Sequence, residues 1–367
     1  MTKETKFISR CLFFFVLLFL SSRSFAEHDD LPPKIKKLIH ELEMDKSHLQ
    51  GGAYGILHKG KVVYKSTFGH RKGKNGPITT NTLFPLASVS KPVTAAAIAL
   101  LVEGGQCNFQ ERLKLAHLQD TLSLGDILSH TTGYRFSGNH EIEHGMSHEK
   151  LMEHLQKSKA RCSPGKCYSY SNATFSMVEE ALNTKKLSLH HAFQNLRKSL
   201  KTEEIQLLPI SEGLEVAYPH LKNRRGHLVP LLFPPYYPRT VPAAAGVFAS
   251  IDGMLEIMKL SFGYRPDLIS NKTLAVMHTP VISNRDIRRW SLAWLHDTRS
   301  IESEYGLGWR ILRTKHNPKK EIIFHSGMIS GINSFIGFIP SEEIGIVILL
   351  NQKSHLPVKR ALEFWKA

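Results

Sequence analysis

Ser88 and Lys91 stand three residues apart in Leu86-Ala87-Ser88-Val89-Ser90-Lys91-Pro92, directly ahead of the alanine-rich run Thr94 to Leu100. On a helix that spacing puts the hydroxyl and the amine on one face. A helix starting near Ser88 tolerates Pro92, because the backbone N–H groups of a first turn have no intrahelical partner to lose. Ser88 then sits at the positive end of the helix dipole, which favours a developing oxyanion and disfavours a charged Lys91. Burial would lower the lysine pKa further, leaving a neutral amine able to take the proton of Ser88. The chemistry such a pair serves is nucleophilic catalysis. Ser and Lys are common, so the pair needs companions before it carries a function.

Tyr170-Ser171-Asn172 follows the turn-rich Pro164-Gly165-Lys166-Cys167-Tyr168-Ser169 and precedes a helix-like stretch. A loop tip there presents the Tyr170 hydroxyl and the Asn172 amide. His325-Ser326-Gly327 lies at the end of a predicted strand, and the glycines at 327 and 331 let another backbone lie close. A substrate could add along that edge.

A competing site is His140-Glu141-Ile142-Glu143-His144, with His148 and His154 further on. On a helix it would put two imidazoles on one face beside a glutamate, the pattern of zinc peptidases. Gly138 and Gly145 bracket it, and the segment reads as polar all round where a zinc peptidase needs a buried helix. With 20 His and 32 acidic residues a chance match is unsurprising. The reading is a solvated His-rich loop, with no metal and no cofactor.

The elements that must hold these residues come from both chain ends. Ala53 to Leu57, a turn at His58-Lys59-Gly60, and Lys61 to Phe68 read as a β-hairpin. Glu321 to His325, Asn333 to Ile339 and Ile344 to Leu350 read as three more strands, the last two joined by Pro340-Ser341-Glu342-Glu343. Helix-like stretches are Ser88 to Glu103, Leu124 to Ser129, Ser147 to Lys157, Ala173 to Leu182, Ser250 to Phe262 and Pro357 to Lys366. One α/β lobe (36–105 with 300–367) and one mostly helical lobe (106–299) of a single domain follow. The proline-rich stretch Val229 to Pro242 is either a connector or a rim of the site.

The 367 residues, 42% hydrophobic, suffice for a full core. Lys3, Lys6 and Arg10, an apolar run from Cys11 to Leu20, and Ser24-Phe25-Ala26 before Glu27 have the layout of a secretory signal peptide over residues 1–26. Ten apolar residues are too few to span about 30 Å of hydrocarbon, so no stable membrane anchor is expected after cleavage. The expected product is exported, periplasmic or secreted. Its net charge, +16 for the whole chain, reads as a solvated basic surface, and no nucleic-acid motif is present. In an oxidising compartment Cys162 and Cys167, which bracket Ser-Pro-Gly-Lys, either form a disulfide or remain two thiols. Cys107 is then unpaired.

Taken together, SxxK at Ser88, YxN at Tyr170 and HxG at His325 resemble the three motifs of the serine β-lactamase and penicillin-binding-protein superfamily. Gly51 to Gly69, Leu124 to Gly133, Pro242 to Ser250 and Tyr305-Gly306-Leu307-Gly308-Trp309 extend the resemblance over about residues 36 to 360. Within the superfamily the chain is most similar to the class C branch, with its β-lactamases, D-Ala-D-Ala carboxypeptidases, D-aminopeptidases and esterases. The resemblance implies an antiparallel five-stranded sheet flanked by helices, plus the helical lobe. It implies that Ser88 is acylated, that Lys91 takes its proton, and that Tyr170 relays protons to the leaving group and to the deacylating water. Asn172 would hold a substrate amide or carbonyl, and His325, Ser326 and Gly327 would line the site. The backbone N–H groups of Ser88 and Met328 would form the oxyanion hole.

Two departures bear on substrate. His325 stands where class C β-lactamases carry a lysine, as in similar peptidases and esterases, which counts against efficient β-lactam turnover. The stretch after Pro242 reads Ala243-Ala244-Ala245-Gly246, adding bulk to a usually glycine-rich loop. The implied substrate is a small molecule or peptide, cell-wall fragments included, cleaved at an ester or a D-amino-acid amide. The alternatives are a class C-type β-lactamase and a non-catalytic penicillin-binding or cell-wall-binding protein.

Overall fold

The computed structural model describes residues 30–116, 118, 120–232, 236–284 and 301–367. The expected signal peptide, and Pro234 and Pro235 of the proline-rich stretch, lie outside them. Contacts divide the chain into a short unit, ending at Asp45 and taking in Ala367, and a large unit, Lys46–Lys366. The short unit contributes helix α1 (Pro33–Asp45), with Ile35, Leu38 and Leu42 on one stripe. The division does not follow the expected lobes: residues 36–45 and 367, expected in the α/β lobe, fall in the short unit.

The sheet of the large unit is antiparallel, with nine strands among the described residues. They are β1 (Gly51–His58), β2 (Lys61–Lys72), β3 (Asn75–Pro77), β4 (Ile282–Ser283), β5 (Ile301–Tyr305), β6 (Arg310–Thr314), β7 (Asn317–Ile329), β8 (Ile332–Ile339) and β9 (Ile344–Leu350). Their order is β4-β5-β6-β7-β8-β9-β1-β2-β3. The strand β9 from the end of the chain thus pairs with β1 from its beginning, Tyr54 opposite Ile348. The sheet is wider than the expected five strands because short edge strands, two to five residues long, extend it. Ile344 to Leu350 is buried at every position, as a near-continuous apolar run requires.

Helix α2 (Ser90–Glu103) is buried along most of its length; apart from Ser90, Lys91, Thr94 and Glu103 its side chains are apolar all round, so it runs through the interior. Helices α3 (Leu124–Leu128), α4 (Asn139–Glu143) and α5 (His148–Lys157) follow it. The stretch expected as one helix from Ala173 to Leu182 is two, α6 (Asn172–Phe175) and α7 (Val178–Asn183). Between them the Met177 N–H and Glu179 N–H bond three residues back, to Thr174 and Ser176, tightening the chain out of α geometry. Helix α8 (Leu189–Leu200), unread above, buries Leu189, Ala192, Phe193 and Leu196 and is capped by Ser188. Then come α9 (Tyr236–Thr240), α10 (Pro242–Ala245), α11 (Ile251–Phe262), α12 (Asn271–His278) and α13 (Leu356–Lys366). Helix α11 covers β1, β8 and β9, and α13 covers β7, β8 and β9. Gly55 and Gly345 make this possible, since a Cβ at either would press on Leu255 or Met258 of α11.

Candidate active site

Ser88 occupies the middle of a 3-10 turn, Ala87–Val89, that leads straight into α2. Ala87 takes φ +48°, a left-handed conformation that costs an L-residue about 1 to 2 kcal/mol, so the surroundings must hold it. They do so from two sides. Leu86 N–H and O bond to Val247 O and Ser334 Oγ, and Ser90 Oγ accepts from Val247 N–H. Strand β7 passes so close that a Cβ on Gly327 would lie 2.3 Å from Leu86 O and 3.0 Å from Ser88 N. Glycine at 327 is therefore a steric requirement, and the HxG segment lies against the turn that carries Ser88.

Lys91 is completely buried, one helical turn on. Its Nζ lies 2.7 Å from Asn172 Oδ1, 3.0 Å from Ala244 O and 3.4 Å from Ser88 Oγ. Burial lowers its pKa, with Tyr170 opposing and Arg310 adding to the shift. Ala243, Ala244 and Ala245 are buried, and the short helix they form places two carbonyls against α2, one on Lys91 and one on Thr94. Opposite them, Gly308 (φ +80°) packs on the Lys91 backbone, where a Cβ would come within 2.9 Å of its carbonyl.

Tyr170 and Asn172 reach the lysine from the turn before α6. Ser171 between them caps that helix by accepting from Thr174 N–H, and donates to Phe136 O. Further back the backbone is tied to residues 130–134: Ser169 N–H bonds to His130 O, Gly165 N–H to Thr131 O and Arg161 N–H to Gly133 O. Cys162 and Cys167 are joined by a disulfide within this loop. The Lys91 Nζ stands 4.7 Å from the Tyr170 ring centre and the Arg310 Cζ 4.9 Å from it. Burial alone would raise the Tyr170 pKa; the charges of Lys91 and Arg310, with hydrogen bonding to Lys91 and Ser88, overcome it and lower the value. The tyrosine hydroxyl is thus eased towards its ionised form.

His325 is fully buried. Burial, Arg310 and Lys91 hold its pKa well below the ordinary histidine value, so it is neutral at physiological pH. The remaining positive charge beside Tyr170 comes from Arg310, the first residue of β6, directly across from Tyr305 of β5. His130, at φ +60°, lies 4.3 Å from the Tyr170 ring and supports its inner face. Ser326 is half-buried and Met328 exposed, on either side of Gly327. Arg310, Tyr305, His130 and the Ala244 carbonyl go unread from the motifs, since each enters through tertiary packing. Tyr305 and Arg310 flank the Gly-Leu-Gly-Trp segment, the one signal in the chain pointing to them.

Tyr237 packs on Ala87, Ile329 and Ile332, and its hydroxyl donates to Glu143 Oε1 at 3.2 Å. The proline-rich stretch thereby supplies a rim of the site. The His140 to His144 segment is a short helix instead of a loop, and it buries Ile142. Its two imidazoles lie 4.2 Å apart, ring centre to ring centre. Among the described residues no three His, Cys, Asp or Glu side chains are placed to share a metal ion.

A mixed α/β fold with a large antiparallel sheet, and a serine backed by a buried lysine and a tyrosine, define the class of serine hydrolases to which β-lactamases and penicillin-binding proteins belong. The chain belongs to the Beta-lactamase family, whose profile matches residues 36–364. It is 23% identical to a β-lactamase of Escherichia coli over 94% of this chain and 95% of that one. It is 25% identical to the unguisins hydrolase of Aspergillus campestris over 84% of its length, but spans 59% of that protein. Of the Staphylococcus aureus protein flp, 21% identical, it spans 64%. Among solved structures it resembles the octameric penicillin-binding protein homologue from Pyrococcus abyssi, with a TM-score of 0.73 at 21% identity over 90% of this chain and 76% of that chain. It likewise resembles SurE, with a TM-score of 0.69 at 20% identity over 94% of this chain and 74% of that one.

Proposed function

We propose that the protein is an exported serine hydrolase of the class C-related branch that cleaves an ester or a D-amino-acid amide or peptide through an acyl-enzyme on Ser88. The observation that carries this reading is the Lys91 amine, buried, held by two acceptors and 3.4 Å from Ser88 Oγ. In this reading the Lys91 amine takes the Ser88 proton as the hydroxyl attacks the substrate carbonyl, and passes it on to Tyr170. Charge on the carbonyl oxygen is met by the N–H groups of Ser88 and Met328. Tyr170 returns the proton to the leaving group and then draws one from the water that frees the acid. Asn172, His325, Ser326 and Gly327 line the substrate. Arg310 supplies a positive charge that suits a substrate ending in a carboxylate.

The runner-up is a β-lactamase, favoured by the near-complete overlap with the Escherichia coli enzyme of that name. His325, neutral where class C β-lactamases carry a lysine, weighs against it. The relative named for hydrolysing unguisins supports a substrate outside the β-lactams.

The test is intact mass over time after adding a penicillin, beside Ser88→Ala. A long-lived adduct that needs Ser88 supports the peptidase reading. A transient adduct with consumption of the drug moves the assignment to β-lactamase. If no adduct forms, turnover of p-nitrophenyl esters and D-alanine p-nitroanilide decides. Turnover there that survives Ser88→Ala would sink the acyl-enzyme. Lys91→Ala should slow acylation about 10²-fold or more, and a chelator should leave the rate unchanged.

A further inference from the structure

The Asn172 amide makes two hydrogen bonds of opposite sense. Its Oδ1 accepts from Lys91 Nζ at 2.7 Å, and its Nδ2 donates to Asn139 Oδ1 at 2.9 Å. An asparagine amide is nearly symmetric in shape, so its partners decide which end points where. That choice matters to the amine. A neutral lysine has two N–H donors and one lone pair, and at Lys91 two pure acceptors, Asn172 Oδ1 and Ala244 O, occupy the donors. The lone pair is then left facing Ser88 Oγ, 3.4 Å away, and Tyr170. With the Asn172 amide turned over, an NH2 group would face Lys91 and capture the lone pair that the serine proton must reach.

We propose that Asn139 is a positioning residue of the active site, its side-chain oxygen holding the Asn172 amide in the orientation that leaves the Lys91 lone pair free for Ser88. The inference rests on the acyl-enzyme reading above. Asn139 is the first residue of α4 and is exposed, so the contact can be removed without opening the core. The other end of α4 is tied to the site as well, through Glu143 and Tyr237, which keeps the Asn139 backbone in place when its side chain changes. The motifs at Ser88, Tyr170 and His325 do not include Asn139. It lies beside the zinc-like string, where its neighbours His140 and His144 draw the eye instead.

The experiment compares Asn139→Leu, Asn139→Ala and Asn139→Asp with the parent and with Ser88→Ala. Labelling of Ser88 by a small alkyl fluorophosphonate is followed by intact mass, and ester turnover by kcat and KM. Both are measured on the alkaline plateau, where the added charge of the aspartate does not alter the protonation of Lys91, with thermal melting as a check on folding. Losing the acceptor should slow labelling and lower kcat about 5- to 10-fold in the Leu and Ala variants, with KM unchanged. Asp, an acceptor only, should restore the rate to within about twofold. Unchanged labelling in Leu and Ala, a rise in KM alone, or an Asp variant as slow as Leu would each overturn the proposal. The Ser88→Ala control separates the two levels: if it loses the label while the 139 variants keep full rates, only the role of Asn139 fails. If it still labels, the acyl-enzyme reading has failed.

Discussion

The hydroxyl of Tyr305 lies 3.0 Å from Nε2 of His325, whose Nδ1 lies 2.9 Å from the carbonyl oxygen of Ser326. A carbonyl only accepts, so Nδ1 carries the proton and Nε2 accepts from the tyrosine. The imidazole is thus fixed in one tautomer and kept neutral, and β7 is stiffened where it passes the nucleophile turn. Tyr305→Phe leaves Nε2 of a buried ring unpaired. A loss of about 1 to 3 kcal/mol in unfolding free energy follows, read from the shift in urea midpoint at constant slope. An unchanged midpoint would mean that the hydroxyl contributes nothing to holding the ring.

Gly327 offers the sharpest steric test. An added methyl would meet the Leu86 carbonyl and Ser334 Oγ, both 2.3 Å away, so β7 or the nucleophile turn must move. Misplacement of reacting groups by about 1 Å costs on the order of 10²-fold in rate. Gly327→Ala should therefore lose Ser88 labelling by about that factor. Gly104→Ala, whose nearest contact is 3.4 Å, serves as the control and should label at the parent rate.

Much of this arrangement is legible in the chain itself. The proline at 92 and the alanines after it mark the start of a buried helix, and the β-branched and aromatic runs within residues 53–68 and 321–350 mark strands from both ends. Their pairing across the chain, Tyr54 opposite Ile348, has no such local signal. Helix α8 was legible too, in Ser188 and the spacing of Leu189, Ala192, Phe193 and Leu196, yet its His-rich face masks the apolar stripe. Other contacts have no local signature. The Ala244 carbonyl that binds Lys91 is a backbone atom, whose partner depends on how α10 docks. Arg310 and Asn139 gain their positions only when β6 and α4 assemble around Tyr170 and Asn172. The expected five-stranded sheet likewise fell short because strands of two or three residues, such as Ile282–Ser283, take their conformation from the neighbour they pair with.

Acid should weaken the fold. His278 is held near pKa 4, and His220, His130 and His325 are also lowered, burial being the largest cause in each. Each is neutral when folded and takes up a proton near pH 6.5 when unfolded. Below that value the unfolded chain binds more protons, so stability present above about pH 6.5 is lost as pH falls towards 4. Melting temperatures measured between pH 7.5 and 4 should fall steadily. The ring of His278 packs edge-on to Trp309 and Phe338, so His278→Phe keeps the packing and removes one titrating group. A pH dependence as steep in that variant as in the parent would exclude His278 as a contributor.

The Cys162–Cys167 disulfide closes a loop of a few residues immediately ahead of Tyr170. For so short a loop the chain-entropy contribution is about 2 kcal/mol, less than a long loop would give. Its larger consequence concerns the site. The loop is hydrogen-bonded to residues 130–134, which also seat His130 under the Tyr170 ring, so loosening it frees the proton relay before it unfolds the domain. Replacing both cysteines by serine should lower the melting temperature by a few degrees. It should slow acylation and deacylation together, because Tyr170 serves the leaving group in the first step and the water in the second, and Asn172 on the same segment holds Lys91. Burst kinetics with a p-nitrophenyl ester separate the two steps: the expected signature is a slower burst and a slower steady state. Unchanged rates in both phases would show that the disulfide loop does not position Tyr170.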